Sequence, residues 1–198
     1  MLYHSFSEHI GLFEGPGFSD KLLSSCYKLQ ELDPDSDGSS SQGGWQKNCL
    51  EVEDFKPLKY LLLLKFAEYI KVYNLQSPIY AAVTRLFINI NPPGAGNYMH
   101  HHSGDQWSGV FWLCGDQYES GDLWIMNPMR NSCLSTHFHG CAEHNAINIP
   151  PRSDKGVFFG SHLIHYVDIN RSDSDRVSIG YHIDTSKHPN NYHFRIDP

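Results

Sequence analysis

Hydrophobic residues fall along this chain in two different rhythms. Between Asp20 and Leu32, the residues Leu22, Leu23, Cys26, Tyr27 and Leu29 recur at roughly helical spacing, which predicts a short amphipathic helix. A polar loop, Pro34 to Gly44, follows with nothing to bury. A stronger helix is predicted from Phe55 to Tyr73, where Leu58, Leu61, Leu62, Phe66, Tyr69, Ile70 and Tyr73 make one apolar stripe. Glu53 or Asp54 stands where a cap belongs. That stripe reads as core packing.

After Pro78 the rhythm shortens. Runs of β-branched and aromatic residues alternate with Gly, Pro, Asn and Asp breaks, the texture of strands. The predicted strands are Ile79–Asn89, Asn97–His102, Ser108–Cys114, Asp122–Met126, Gly156–Phe159, His165–Asp168 and Val177–Asp184. Helices followed by a run of antiparallel strands predict a mainly β fold with N-terminal helices, a helix-backed sandwich or jelly roll. Trp107, Trp112, Tyr118 and Trp124 read as core, and Pro92 to Gly96 as a turn. The longest irregular stretch, Asn127 to Arg152, has the length of a functional loop. Neither a repeat nor a domain boundary is visible. The expectation is one domain over 1–198: helical support in 1–75, a jelly-roll core in 76–186 and a tail in 187–198.

Composition narrows the class. At 198 residues a fold buries roughly 70% of the surface its unfolded chain exposes, so a core forms without staples. The net charge of −7 argues against nucleic acid as a partner. Five scattered cysteines, an odd number, do not make a disulfide framework. The N-terminus lacks a signal peptide's basic start and apolar core, and the aliphatic run Leu61 to Leu64 is too short to cross a bilayer. These features predict a soluble cytoplasmic protein with no membrane partner. Histidine is the outlier, with 13 residues against 15 Lys and Arg together.

Several of those histidines are spaced for metal. In His100-His101-His102, residues two apart on a strand share a face, so His100 and His102 converge while His101 points away. Neutral imidazoles are good ligands for iron, zinc or copper. His165, in His162-Leu163-Ile164-His165-Tyr166-Val167-Asp168, shares a strand face with Val167 and is expected to be partly buried. His162 is a competing candidate nearer the Gly160-Ser161 turn. Arg176 and Ser178 face one way from a strand that is expected to form a hairpin with the His165 strand. An inward arginine needs an anion: an aspartate of the chain, or a carboxylate ligand matched to its planar fork. A separate cluster, Cys133, His137, His139, Cys141 and His144, reads either as a second metal site or as part of a lid.

Together these segments resemble the Fe(II)/2-oxoglutarate-dependent oxygenase superfamily. The resemblance rests on Gly43-Gly44-Trp45, on His100 to His102 leading into Ser108-Gly109-Val110-Phe111-Trp112, on Phe159 to Val167, and on Arg176-Val177-Ser178. It is nearest to a small group of uncharacterised oxygenases with a His-x-His, Ser-Gly-Val-Tyr-Tyr, His and Arg-x-Ser pattern. It implies a double-stranded β-helix, a cupin-like jelly roll. It also implies Fe(II) as cofactor, held by His100, His102 and His165, and 2-oxoglutarate as cosubstrate on Arg176 and Ser178. Dioxygen and an unidentified prime substrate complete the partners, and a homodimer stays open because such folds often pair. The reaction implied is hydroxylation, coupled to decarboxylation of 2-oxoglutarate. Where the superfamily carries an acidic ligand this chain has His102, so three outcomes are open: His102 ligates, Asp105 takes its place, or neither does. A three-histidine metalloenzyme without 2-oxoglutarate and a non-catalytic jelly-roll binding protein are the alternatives.

Overall fold

The computed structural model describes residues 8–17, 19–38, 40–116, 119–128, 146–189 and 194–198. The two helical rhythms are present. Helix α1 spans Ser19–Leu32 and buries Leu22 and Cys26, four residues apart on one face. Helix α2 spans Lys56–Tyr69, with a 3₁₀ turn before it (Glu53–Phe55) and another after it (Ile70–Tyr73). Leu58, Leu62, Phe66 and Ile70 of the predicted stripe are buried, whereas Tyr73 is exposed. Neither Glu53 nor Asp54 caps α2: the capping position is Phe55, without a side-chain bond. Pro57 in the first turn, whose missing N–H costs nothing there, starts the helix instead. Asn74, in the left-handed region at φ 53°, ends the second 3₁₀ turn.

Twelve strands form two sheets among the described residues. Strands β1 (Gly11–Glu14), β3 (Trp45–Asn48), β4 (Ile79–Asn91), β6 (Trp107–Cys114), β9 (Lys155–Gly160), β11 (Arg176–Ser186) and β12 (Phe194–Ile196) make the seven-stranded sheet. Its path runs β1-β9-β6-β11-β4-β12, with β3 also on β4. The five-stranded sheet contains β2 (Ser41–Gln42), β5 (Gly96–His100), β7 (Leu123–Met126), β8 (Ala146–Ile149) and β10 (His165–Val167), in the order β2-β5-β10-β7-β8. All seven predicted strands are present, shifted by a residue or two at their ends. Strands β1, β2, β3, β8 and β12 were not expected. They are short, and β2 lies inside the stretch read as a polar loop.

One expected pairing is wrong. The His165 and Arg176 strands do not form a hairpin: β10 lies between β5 and β7, while β11 lies between β4 and β6. The connection instead crosses from one sheet to the other, where Asn170 ties it down by donating to the carbonyls of Asn91 and Ser174. His165 and Arg176 therefore approach from opposite walls.

The core has two parts. The larger packs α1 and α2 against the outer face of the seven-stranded sheet, using Leu86, Ile88 and Ile90 of β4 and Val177, Ile179, Tyr181 and Ile183 of β11. The smaller lies between the sheets and contains Trp112, Leu123, Ile125, Ile149, Val157, Phe159 and Leu163. Trp112 is buried as expected, while Trp107 packs half-buried on the larger core and Trp124 donates its indole N–H to Asp168. Tyr118 lies outside the described residues. No described helix is long and apolar enough to cross a membrane.

Candidate metal and cosubstrate site

Strand alternation builds one wall of the site. Every second residue of β11 (Arg176, Ser178, Gly180, His182) turns away from the helices and lines a cavity between the sheets. Phe87 and Asn89 of β4 and Ser108, Val110 and Trp112 of β6 line it by the same rule. The opposite wall carries His100, at the end of β5, and His165, at the start of β10. The two are cross-strand partners, which is why residues so far apart in sequence meet.

His102 lies beyond the end of β5, so pleat alone does not place it. Its backbone N–H donates to the Ser161 carbonyl at 2.9 Å. Ser161 is in turn locked to Ser108 by a buried hydroxyl contact of 2.7 Å. The three imidazoles converge, with ring centroids 4.9 Å apart for His100 and His102, 4.4 Å for His100 and His165, and 5.1 Å for His102 and His165. Each offers a ligand atom, and these atoms lie within 4.8 Å of one another. His101 points outward and is exposed, as expected. His162 is also exposed and pairs with Glu8 at 2.9 Å, outside the cluster.

Ring tautomers follow from the backbone. The Nδ1 of His165 lies 2.9 Å from the Leu163 carbonyl, and that of His100 lies 2.5 Å from the Tyr98 carbonyl. A carbonyl only accepts, so each Nδ1 carries the proton and each Nε2 keeps its lone pair. Burial, and then the neighbouring imidazoles, lower the His102 pKa to about 2. Burial also lowers that of His165 to about 4, against a weaker upward pull from its bond to Leu163. Both rings are therefore neutral at physiological pH, the state that binds metal.

Arg176 enters from the facing wall and is 1% exposed. Among the described residues, no aspartate carboxylate is hydrogen-bonded to it. Its Nη1 donates to the carbonyls of Ser120 at 2.5 Å, Asp168 at 3.0 Å and Gly121 at 3.2 Å. Nη2 is buried and has no hydrogen-bond partner among the described residues. Burial lowers the guanidinium pKa to about 10, so the group stays charged at neutral pH. Gly121 is required here: it sits at φ 94°, and a Cβ would collide with Nη1. Ser178 lines the cavity two residues along, on the same face.

Asp105 lies on the far side of His102, in a second group with His182 whose ligand atoms also lie within 4.8 Å of one another. Its Oδ2 lies 2.7 Å from His182 Nδ1 and its Oδ1 lies 3.5 Å from Arg85 Nε. The acid is grouped with His102 and His182, not with His100 and His165. His182 was not singled out in the sequence, although the two-residue step from Arg176 through Ser178 and Gly180 leads to it. The carbonyls of Ser120 and Gly121 carry no sequence signal. Cys133, His137, His139, Cys141 and His144 lie outside the described residues.

These donor groups suit Fe(II) and 2-oxoglutarate: three neutral imidazoles for a divalent ion, and a fixed guanidinium with a free nitrogen for a carboxylate. Residues 85–182 match a protein family described as "Putative 2OG-Fe(II) oxygenase". No curated protein matches the sequence. Among solved structures, a Pseudomonas putida prolyl-4-hydroxylase aligns with TM-score 0.63 and 13% identity over 89% of this chain and 92% of its own. The alpha-ketoglutarate-dependent carbocyclase SnoK of nogalamycin biosynthesis aligns with TM-score 0.63 and 13% identity over 92% of this chain and 83% of its own. HygX from Streptomyces hygroscopicus, solved with nickel and 2-oxoglutarate bound, gives 0.61 and 11% over 89% and 82%. At such identities the likeness shows a shared fold, the double-stranded β-helix expected from the sequence. The family match covers 98 of the 198 residues, just under half of the chain, and its description together with this fold points to Fe(II) and 2-oxoglutarate as the groups the site suits.

Proposed function

We propose that the chain is a dioxygenase that hydroxylates a C–H bond of its substrate, with His100, His102 and His165 holding Fe(II) and Arg176 and Ser178 holding the distal carboxylate of 2-oxoglutarate. The observation that carries this reading is the buried, unpartnered Nη2 of Arg176 in the same cavity as the three histidines. An unsatisfied donor on a buried cation costs stability, and a carboxylate ligand relieves that cost. When bound, the iron would bring 2-oxoglutarate and dioxygen together, dioxygen being the four-electron oxidant: one of its oxygen atoms leaves in the succinate formed as 2-oxoglutarate loses carbon dioxide, and the other enters the hydroxyl group of the product.

The chain's own part is positioning. The Leu163 and Tyr98 carbonyls fix two imidazole tautomers, and the Ser108–Ser161 contact anchors the backbone that carries His102. The Ser120, Gly121 and Asp168 carbonyls hold Nη1, leaving Nη2 for the ligand. Trp112, Leu123, Phe159 and Val167 line the cavity between these groups and limit water there. From His100 to His102 a groove opens past Tyr98 and Met99, both exposed, to Gln46, Asn48 and Arg85. This groove is the route proposed for the prime substrate.

The test is anaerobic titration of Fe(II)-loaded protein with 2-oxoglutarate, watching the weak visible charge-transfer band of the chelate. The expected result is a saturable band, with affinity lowered by about 30-fold or more in Arg176→Ala while iron affinity is kept. Iron binding without a band would favour the three-histidine metalloenzyme that does not use 2-oxoglutarate. Unchanged 2-oxoglutarate affinity in Arg176→Ala would remove the clamp assignment.

A further inference from the structure

The side of His102 that faces away from His165 is also built. His182 stands on β11 at the next cavity-facing position but one after Ser178, and is 2% exposed. Its ring centroid lies 4.2 Å from that of His102, closer than any other pair in the histidine cluster. His182 Nδ1 lies 2.7 Å from the Asp105 carboxylate, an ion-pair contact without hydrogen-bond geometry, and Nε2 is buried with no hydrogen-bond partner among the described residues. Asp105 is held in turn by Arg85, and it comes from the turn between β5 and β6, where Gly104 at φ 110° reverses the chain. The order in space is carboxylate, imidazole, then the His102 imidazole.

Charge gives this arrangement a purpose. Two imidazoles and one carboxylate leave a divalent ion with one net positive charge, whereas three imidazoles leave two. Arg176 adds another cation to the same cavity. In such a low-dielectric setting an uncompensated charge is costly, and a carboxylate one imidazole away from a ligand recovers part of it. We propose that Asp105 and His182 are a positioning pair that acts through His102. The pair supplies, from outside the ligand set, the negative charge that a carboxylate ligand would bring, and fixes the His102 ring. This rests on the three-histidine reading given above.

The experiment is Co(II) titration of the metal-free protein, followed by its visible ligand-field bands, with metal-free melting temperature measured alongside. Asp105→Asn and His182→Gln are each expected to weaken Co(II) by about 10-fold and to shift the bands, with the metal-free melting temperature kept. Because the two residues act as one unit, the double variant is expected to be no weaker than the worse single. His165→Ala is expected to abolish binding. Wild-type affinity and bands in both single variants, with His165→Ala still inactive in binding, would overturn the pair and leave the three-histidine site standing. Binding kept in His165→Ala but lost in Asp105→Asn would put the ion on His102, Asp105 and His182, and overturn both readings. If metal-free Asp105→Asn melts early, the decision passes to His182→Gln, whose affinity and bands separate the same outcomes.

Discussion

Along β11, Val177, Ile179, Tyr181 and Ile183 lie in the helix-backed core, whereas Arg176, Ser178, Gly180 and His182 line the cavity. One strand thus has two faces a single residue out of phase. The first set is close-packed and apolar, with the Tyr181 hydroxyl donating to the Val157 carbonyl at 2.7 Å. The second is buried too, yet among the described residues Arg176 Nη2 and both ring nitrogens of His182 have no hydrogen-bond partner. Buried unsatisfied polar groups are rare because they destabilise, and they cluster where a ligand is to be met. The contrast shows how the chain tolerates its site: packing against α1 and α2 stabilises the same backbone that carries the unsatisfied groups.

The largest test of that division is Ile179→Ala. Removing a fully buried isoleucine side chain from the helix-backed core is expected to cost about 2–5 kcal/mol. Urea unfolding of the metal-free protein would measure it. Affinity of the folded fraction for Co(II) and 2-oxoglutarate is expected to hold, and a loss there of about 10-fold or more would show that the faces are coupled.

Acid probes the other face. His165 has its pKa lowered from 6.5 to about 4, so it resists protonation when folded and accepts a proton freely when unfolded. Above pH 6.5 both states are neutral and the group contributes nothing. Between 6.5 and about 4 the unfolded chain binds more protons, so metal-free stability is expected to fall as the pH is lowered, by up to about 3 kcal/mol from this residue. His102, lowered for the same main reason, acts in the same direction. Denaturant midpoints at pH 7 and pH 5 check this. A slope that persists undiminished in His165→Ala would assign it to other groups.

Much of this architecture was legible in the residues, and the gaps have physical causes. The strongly periodic segments α1, α2, β4, β6 and β11 could be read because their burial comes from repeating side chains on one face. Short strands such as β2 and β12 could not, since two or three residues carry no period and are strands only because a neighbour supplies hydrogen bonds. The same limit hid the sheet crossing after β10, where the spacing alone was read as a hairpin. At the site, His100, His102, His165 and Arg176 were visible as residue types. The carbonyls that hold Arg176 were not, because any residue supplies a carbonyl. His182 was hidden by its apolar neighbours Tyr181 and Ile183, which made that end of β11 look like plain core.

The finest test is Ser178→Ala, the neighbour of Ile179 on the opposite face. Ser178 is 7% exposed and lines the cavity beside Arg176. Its hydroxyl is expected to contribute one hydrogen bond to the cosubstrate carboxylate, worth about 1 kcal/mol, so 2-oxoglutarate should bind about fivefold more weakly in the variant. Co(II) affinity should hold, because the imidazoles come from the other wall. Stability should change by less than about 1 kcal/mol, since no packed carbon is removed. Isothermal titration and urea unfolding of both variants then give opposite patterns from adjacent residues: Ile179→Ala loses stability and keeps affinity, and Ser178→Ala does the reverse. Were Ser178→Ala to bind 2-oxoglutarate as the wild type does while losing as much stability as Ile179→Ala, residue 178 would belong to the packed core, and the cosubstrate would rest on Arg176 alone.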